Sequence, residues 1–269
     1  MGMEGTLFPA AVLGGLGLAF GLLLAVAAEK FRVQVDPRVE MVRDALPGAN
    51  CGACGYPGCD GYAEAVVSGE AKPNMCAPGG ASVATAVAAI MGLSAEDVVK
   101  RVAFVKCKGS PDVAKTRYIY DGVMDCREAV VLPGSGPKAC VFGCLGLGTC
   151  VAVCPFDAIH IENSLARIDE NRCVGCGLCV ASCPKGVIEL VVQDKRVRVA
   201  CNSHHRGLDV KNVCQLGCIG CGLCSKVCPE GAITMEDNLP VIDQSKCTQC
   251  GKCVEKCPTK SIIRLESSY

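Results

Sequence analysis

Residues 218–229 read Cys218-Ile219-Gly220-Cys221-Gly222-Leu223-Cys224-Ser225-Lys226-Val227-Cys228-Pro229. The same C-x2-C-x2-C-x3-C-P spacing returns at Cys247, Cys250, Cys253, Cys257 and Pro258. It also occurs earlier, at Cys173, Cys176, Cys179, Cys183 and Pro184. An apolar pair follows each block: Ala232-Ile233, Ile262-Ile263 and Val187-Ile188. The step from Cys154-Pro155 to Cys173 equals the step from Cys228-Pro229 to Cys247, so the repeat is a repeat of pairs. Internal periodicity of this kind sets the architecture before any local reading. It predicts two double-motif modules in tandem. One motif departs from the rule, the looser Cys140-x3-Cys144-x5-Cys150-x3-Cys154.

The spacing is that of bacterial ferredoxins, where the fourth cysteine of each run serves the other cluster of a pair. Three closely spaced thiolates cap three corners of a cubane, and the chain then leaves, so the fourth corner is supplied from elsewhere. Glycines between the cysteines let the loop bend and turn N–H groups toward an anionic centre. The exchange predicts four [4Fe–4S] sets. Cys140, Cys144 and Cys150 take Cys183, and Cys173, Cys176 and Cys179 take Cys154. Cys218, Cys221 and Cys224 take Cys257, and Cys247, Cys250 and Cys253 take Cys228. A fifth set, Cys51, Cys54, Cys59 and Cys76, is contiguous in sequence. Cys107, Cys126, Cys201 and Cys214 remain, bracketing the first module on both sides. They are read as a sixth set, with ordinary buried thiols as the alternative. Structural zinc rivals iron at any CxxC pair, chiefly at the Cys51–Cys76 set, although a third cysteine two residues on is surplus to it.

Cysteine supplies 24 of the 269 residues. That density usually marks a disulfide scaffold in a short secreted chain. Here the chain is long, and cysteines this close cannot easily pair with each other in unstrained geometry. The 27 basic and 27 acidic residues balance, and no basic block suggests nucleic acid binding. Metal-bound cysteines are thiolates, so a loaded chain would be acidic. His160, His204 and His205 read as surface or core residues. Gly146-x-Gly148 lacks the third glycine of a dinucleotide fingerprint.

The run Leu7–Ala28 is apolar and uncharged, long enough to span a bilayer as a helix. Basic residues follow it at Lys30, Arg32, Arg38 and Arg43, and none precedes it. This predicts an uncleaved single-pass anchor in the cell membrane with the bulk of the chain on the cytoplasmic side. Small residues four apart at Ala11, Gly15 and Ala19 suit helix docking in lipid, or only reflect the frequency of glycine in such helices. A helix is expected near Asp60–Glu70, and Ser94-Ala95-Glu96-Asp97 resembles a helix start.

The fold class is therefore α+β, with an N-terminal transmembrane helix, a small α-rich 4Fe-4S domain and tandem ferredoxin-like modules. The expected divisions are an anchor at 1–30, the 4Fe-4S domain at 31–80 and a connecting segment with two cysteines at 81–135. The first ferredoxin-like module with its flanking cysteines follows at 136–216, and the second module at 217–269.

Three features occur in order: the apolar anchor; Cys51-Gly52-Ala53-Cys54-Gly55-Tyr56-Pro57-Gly58-Cys59 with Cys76; and Gly143-Cys144-Leu145-Gly146-Leu147-Gly148-Thr149-Cys150-Val151-Ala152-Val153-Cys154-Pro155. With them the chain resembles the RnfB family, the iron–sulfur subunits of the Rnf complexes, over nearly its whole length. The resemblance implies an oxidoreductase component that takes electrons from reduced ferredoxin (or flavodoxin). It would relay them, through the about six [4Fe–4S] clusters that 24 cysteines in sets of four make, toward a separate NAD- and FMN-binding Rnf component and membrane subunits that move sodium ions or protons. It also supports cluster binding at Cys51, Cys54, Cys59 and Cys76. The second module exceeds the shorter members of that family. The alternatives are an electron-transfer component of a hydrogenase or carbon monoxide dehydrogenase system, and a system that reduces a SoxR-type regulator.

Overall fold

A computed structural model describes residues 4–31, 36–93 and 99–265. The helix start expected at Ser94–Asp97 and the basic flank Arg32 lie outside the described residues.

Helix α1 (Glu4–Lys30) contains the expected span and runs slightly past it at both ends. Its stretch Val12–Lys30 has a mean hydropathy of 2.0, and none of that window is buried. Leu13, Leu18 and Leu23 are exposed on different sides of it. A helix apolar all round belongs in a core or a bilayer, and the protein offers α1 no core.

Three helices make the first soluble unit: α2 (Pro37–Ala45), α3 (Gly58–Ser68) and α4 (Gly80–Ile90). Proline opens α2, and the Asp36 carboxylate accepts the Arg38 amide at 2.9 Å, satisfying a donor that the first turn leaves free. Helix α3 stops at Gly69, which takes the left-handed conformation. The boundary expected at residue 80 gives way to one after α4. Gly80 opens that helix, and its Val87 is fully buried in one core with Val42, Tyr62 and Val66. The alanine–valine face of α4 needs a partner and finds α2. Each such buried valine contributes about 1.5–3 kcal/mol.

The rest of the chain holds two modules of the same plan. The first comprises β1 (Arg101–Val105), α5 (Cys126–Val130), α6 (Thr149–Ala152), β2 (Ile159–Glu162), β3 (Leu165–Ile168), α7 (Leu178–Ser182) and β4 (Ile188–Val192). The second comprises β5 (Val197–Val199), α8 (Gly207–Val213), α9 (Leu223–Lys226), β6 (Ile233–Glu236), β7 (Leu239–Ile242), α10 (Lys252–Lys256) and β8 (Ile262–Arg264). Each has a tight hairpin, β2–β3 or β6–β7, that pairs antiparallel with Glu162 opposite Leu165 or Glu236 opposite Leu239. The turns are Asn163-Ser164 and Asp237-Asn238, all four residues at positive φ as a two-residue primed turn requires.

The outer strands correct both expected boundaries of the first module. β1, assigned to the connecting segment, pairs with β4, and Val105 faces Ile188. β5, assigned to the first module, pairs with β8 of the second, and Val199 faces Ile262. The last strand of each module would otherwise be an open edge, and a strand from ahead of the cysteine motifs covers it. The modules meet at Arg198, which is 2% exposed. Its guanidinium donates to Glu170 at 2.6 Å and lies 5.1 Å from the centre of the Phe104 ring.

Candidate metal centres

All 24 cysteines are free thiols. Five cavities are each walled by four of them. Cys51, Cys54, Cys59 and Cys76 surround one in the helical unit, beside Tyr62. Cys154, Cys173, Cys176 and Cys179 surround the second, in the first module. In the second module, Cys218, Cys221, Cys224 and Cys257 form one shell and Cys228, Cys247, Cys250 and Cys253 another. These four groupings are the contiguous set and three of the exchanged sets expected from spacing.

The remaining eight cysteines are arranged differently from the expected sets. Cys140 walls the fifth cavity with Cys107, Cys201 and Cys214 rather than joining Cys144, Cys150 and Cys183. Cys126, expected with Cys107, instead lies at α6. Its amide donates to the Thr149 hydroxyl at 2.6 Å, and that hydroxyl donates to Asp125 at 2.8 Å. Burial raises the Cys150 thiol, and the charges of Cys144, Cys126, Cys183 and Cys179 raise it further. A signal for this grouping was present in the sequence. Cys140-x3-Cys144 has the same spacing as Cys214-x3-Cys218, which pairs Cys140 with Cys214 and sets both outside the motif.

Local backbone geometry explains how short loops present several thiols at once. In Cys173–Cys179, Gly175 (φ +71°) and Gly177 (φ +80°) turn the chain through the left-handed region, and α7 starts immediately after. A Cβ on Gly175 would collide with the Arg101 carbonyl, so β1 can lie against the loop only because that residue is glycine. Backbone amides then point at sulfur. Ala103 donates to Cys173 at 3.3 Å, Ala232 to Cys228 at 3.4 Å and Ser261 to Cys257 at 3.3 Å. Such bonds favour the anionic thiolate that metal binding requires.

Burial opposes that charge in the metal-free thiols. It pushes Cys150, Cys179 and Cys201 up to about 12 and Cys224 to about 11, with neighbouring thiolates adding to the shift. Cys257 goes the other way. Burial alone would raise it, but the Ser261 hydroxyl, the Ile262 and Ser261 amides and the Thr259 hydroxyl together hold it below the usual thiol value. Cations stand near the fifth cavity. Lys106, Lys108 and Lys138 line it, and the buried Lys138 ammonium donates to the carbonyls of Gly109, at 2.7 Å, and Cys144.

Four thiols at each cavity, largely apolar walls and inward N–H groups fit a [4Fe–4S] cluster. Among the described residues, no three histidine, cysteine or acidic side chains converge as a single ion would need. His204 and His205 pack edge-on against Phe142, with ring centres 5.3 and 5.0 Å away, and neither lines a cysteine cavity among those described. Gly146 and Gly148, both at positive φ, are the turn glycines of a cysteine motif.

Comparison with known families agrees with this inventory. The family described as a putative Fe-S cluster matches residues 46–78, around the contiguous set. A 4Fe-4S dicluster domain matches residues 139–187 and again 217–261, once in each module. A second dicluster family matches 166–235, in a frame that straddles the two modules, as a repeat allows. Among curated proteins, the chain is 50% identical over 245 residues to the B-type subunit of the Na(+)-translocating ferredoxin:NAD(+) oxidoreductase complex of Acetobacterium woodii. That match covers 91% of this chain and 73% of the relative. It is 51% identical over 232 residues to the B-type subunit of the proton-translocating ferredoxin:NAD(+) oxidoreductase complex of Clostridium ljungdahlii, covering 86% of this chain and 81% of that one. It is 45% identical over 237 residues to the corresponding subunit of the ion-translocating oxidoreductase complex of Methanosarcina acetivorans, covering 88% and 89%.

Proposed function

The chain belongs to the RnfB family of the ion-translocating ferredoxin:NAD+ oxidoreductase (Rnf) complexes, and from that premise we propose that it accepts electrons from reduced ferredoxin and relays them through six [4Fe–4S] clusters held by its 24 cysteines. It is an iron–sulfur electron-transfer subunit of an oxidoreductase complex, and other Rnf subunits are its partners. The observation that carries the reading is the set of cavities each walled by four thiols and strung along one polypeptide. Clusters bound there supply one-electron chemistry with little movement of atoms.

The protein's own work is to hold those positions and to set potentials. Buried strands and helices fix the cysteines. Amide donors such as Ala103, Ala232 and Ser261 stabilise added negative charge at Cys173, Cys228 and Cys257. Solvent contact differs along the chain: Cys221 and Cys250 are exposed, whereas Cys176, at the same motif position in the first module, is half-buried. The second module therefore offers the more solvent-facing centres for exchange with a soluble donor.

Helix α1 spans the cell membrane once and leaves the modules on the cytoplasmic side, beside the ion-moving subunits. Its apolar surface and the following Lys30, Arg38 and Arg43 support this placement. The relay is tested by rapidly mixing the anaerobic full-length chain, in detergent, with chemically reduced ferredoxin. Cluster absorbance is expected to bleach in a saturable, salt-sensitive reaction. A chain that dithionite reduces but ferredoxin does not would overturn the assignment of donor.

A further inference from the structure

The two modules share more than their motifs. Cys107 follows β1 by the same two steps as Cys201 follows β5. The residues just before them make equivalent bonds, Lys106 N–H to Val187 O and Ala200 N–H to Ser261 O, both at 2.7 Å. Each sulfur then accepts the amide two residues on, Gly109 to Cys107 and Ser203 to Cys201, both at 3.4 Å. The second pair repeats the pattern. Cys140 and Cys214 each stand four residues before the first motif cysteine, and the intervening turns are closed by Gly143 N–H to Cys140 O at 3.2 Å and Gly217 N–H to Cys214 O at 3.5 Å.

An extended segment with two isolated bridges, Ala114 to Cys214 and Thr116 to Lys138, draws the two halves together. Residues 113–117 bond on one side to the second module, with Lys115 N–H to Val213 O and Gln215 N–H to Val113 O at 2.9 Å. On the other side they bond to the chain before Cys140, with Ala139 N–H to Lys115 O at 2.8 Å. Cys140 and Cys214 thus flank one backbone ribbon.

The first module breaks the symmetry at one place. The glycines at Gly146 and Gly148 match Gly175 and Gly177, and Gly220 and Gly222, all at positive φ. This aligns Cys144 with Cys173 and Cys218, and Cys150 with Cys179 and Cys224. The second ligand position, held by Cys176 and Cys221 elsewhere, falls on Leu147. The Thr149 hydroxyl holds Cys126 beside this defective motif.

On these grounds we propose two ligand sets that cross the sequence motifs. Cys107, Cys140, Cys201 and Cys214 hold a cluster on the pseudo-twofold junction of the modules, and Cys126 replaces the cysteine missing at Leu147 to complete a set with Cys144, Cys150 and Cys183. The junction cluster is half contributed by each module and is the link between them. Its ligand Cys201 also accepts the Cys218 amide, and Lys138 of its wall donates to the Cys144 carbonyl, so it adjoins a centre on either side. Lys106, Lys108 and Lys138 offset its negative charge.

The proposal rests on the cluster-binding reading and is tested in the full-length chain by iron analysis and low-temperature magnetic resonance of alanine variants. Iron should fall by about four per chain in each single variant of a set, and no further when a second member of that set is removed. Cys140→Ala/Cys214→Ala should therefore keep about 20 iron and Cys140→Ala/Cys183→Ala about 16, if the parent holds about 24. The reverse pattern would overturn the grouping. Cys126→Ala/Leu147→Cys is the rescue, expected to regain the iron and the resonance lost in Cys126→Ala; failure to regain them overturns the role of Cys126. A parent chain without iron would instead overturn the relay itself.

Discussion

The amide N–H of Cys218 donates to the sulfur of Cys201 across 3.2 Å, tying the first motif cysteine of the second module to a cysteine that precedes that motif. One hydrogen bond thus spans two four-thiol shells, those lined by Cys218 and by Cys201. Both sulfurs sit in a buried environment, where electrostatic coupling is stronger than at a surface. Reduction of the centre at one is expected to lower the potential of the centre at the other, read as interacting magnetic resonance signals in partly reduced samples. Independent signals at every stage of titration would contradict this.

Arg198 is the main ionic tie between the modules. It is 2% exposed and bonds to Glu170 at 2.6 Å. Arg198→Met leaves that carboxylate only the longer Arg196 contact, at 3.4 Å, and should cost about 3 kcal/mol, the low end for breaking a buried pair, in anaerobic urea unfolding. The double variant Arg198→Met/Glu170→Leu should recover much of that loss.

Gly146 and Gly148 make a controlled comparison. Both have positive φ, but a Cβ at Gly146 meets the Ser164 backbone while one at Gly148 meets nothing. Gly148→Ala should cost about 1–2 kcal/mol, the ordinary penalty of the left-handed conformation. Gly146→Ala should cost more and lower iron content, because the hairpin turn must move away from the Cys144 loop.

Thr149 is 3% exposed and bonds both Asp125 and the Cys126 amide. Thr149→Val removes both bonds, a loss of about 1–3 kcal/mol. It should make one centre selectively labile to chelation while the other five retain their iron.

Deleting α1 should leave cluster content unchanged, since none of the Val12–Lys30 window is buried against the modules. NAD+ reduction by reconstituted membranes should fall sharply. Rates equal to the full-length chain would show that the helix is dispensable.

Much of the site was readable because ligand spacing is local. Three motifs and the Cys51–Cys76 set place their thiols within short loops whose glycines and prolines dictate the turn. Cys107, Cys126, Cys140, Cys201 and Cys214 were harder, since strand pairing and the ribbon at residues 113–117 decide their neighbours, and those contacts are long-range. The module boundaries were misread for a related reason. β1 and β5 are short apolar stretches with no cysteine, and only closure of the β4 and β8 edges reveals where they belong. The extent of the helical unit turned on Val87, whose burial depends on α2 rather than on its own helix.

The most direct measurement is iron, sulfide and zinc analysis of the full-length chain prepared without oxygen, with a dithionite titration followed optically. The account predicts a brown protein with about 24 iron and as much sulfide per chain, bleached by the reductant. Colourless, zinc-filled material that takes up no electrons would contradict it.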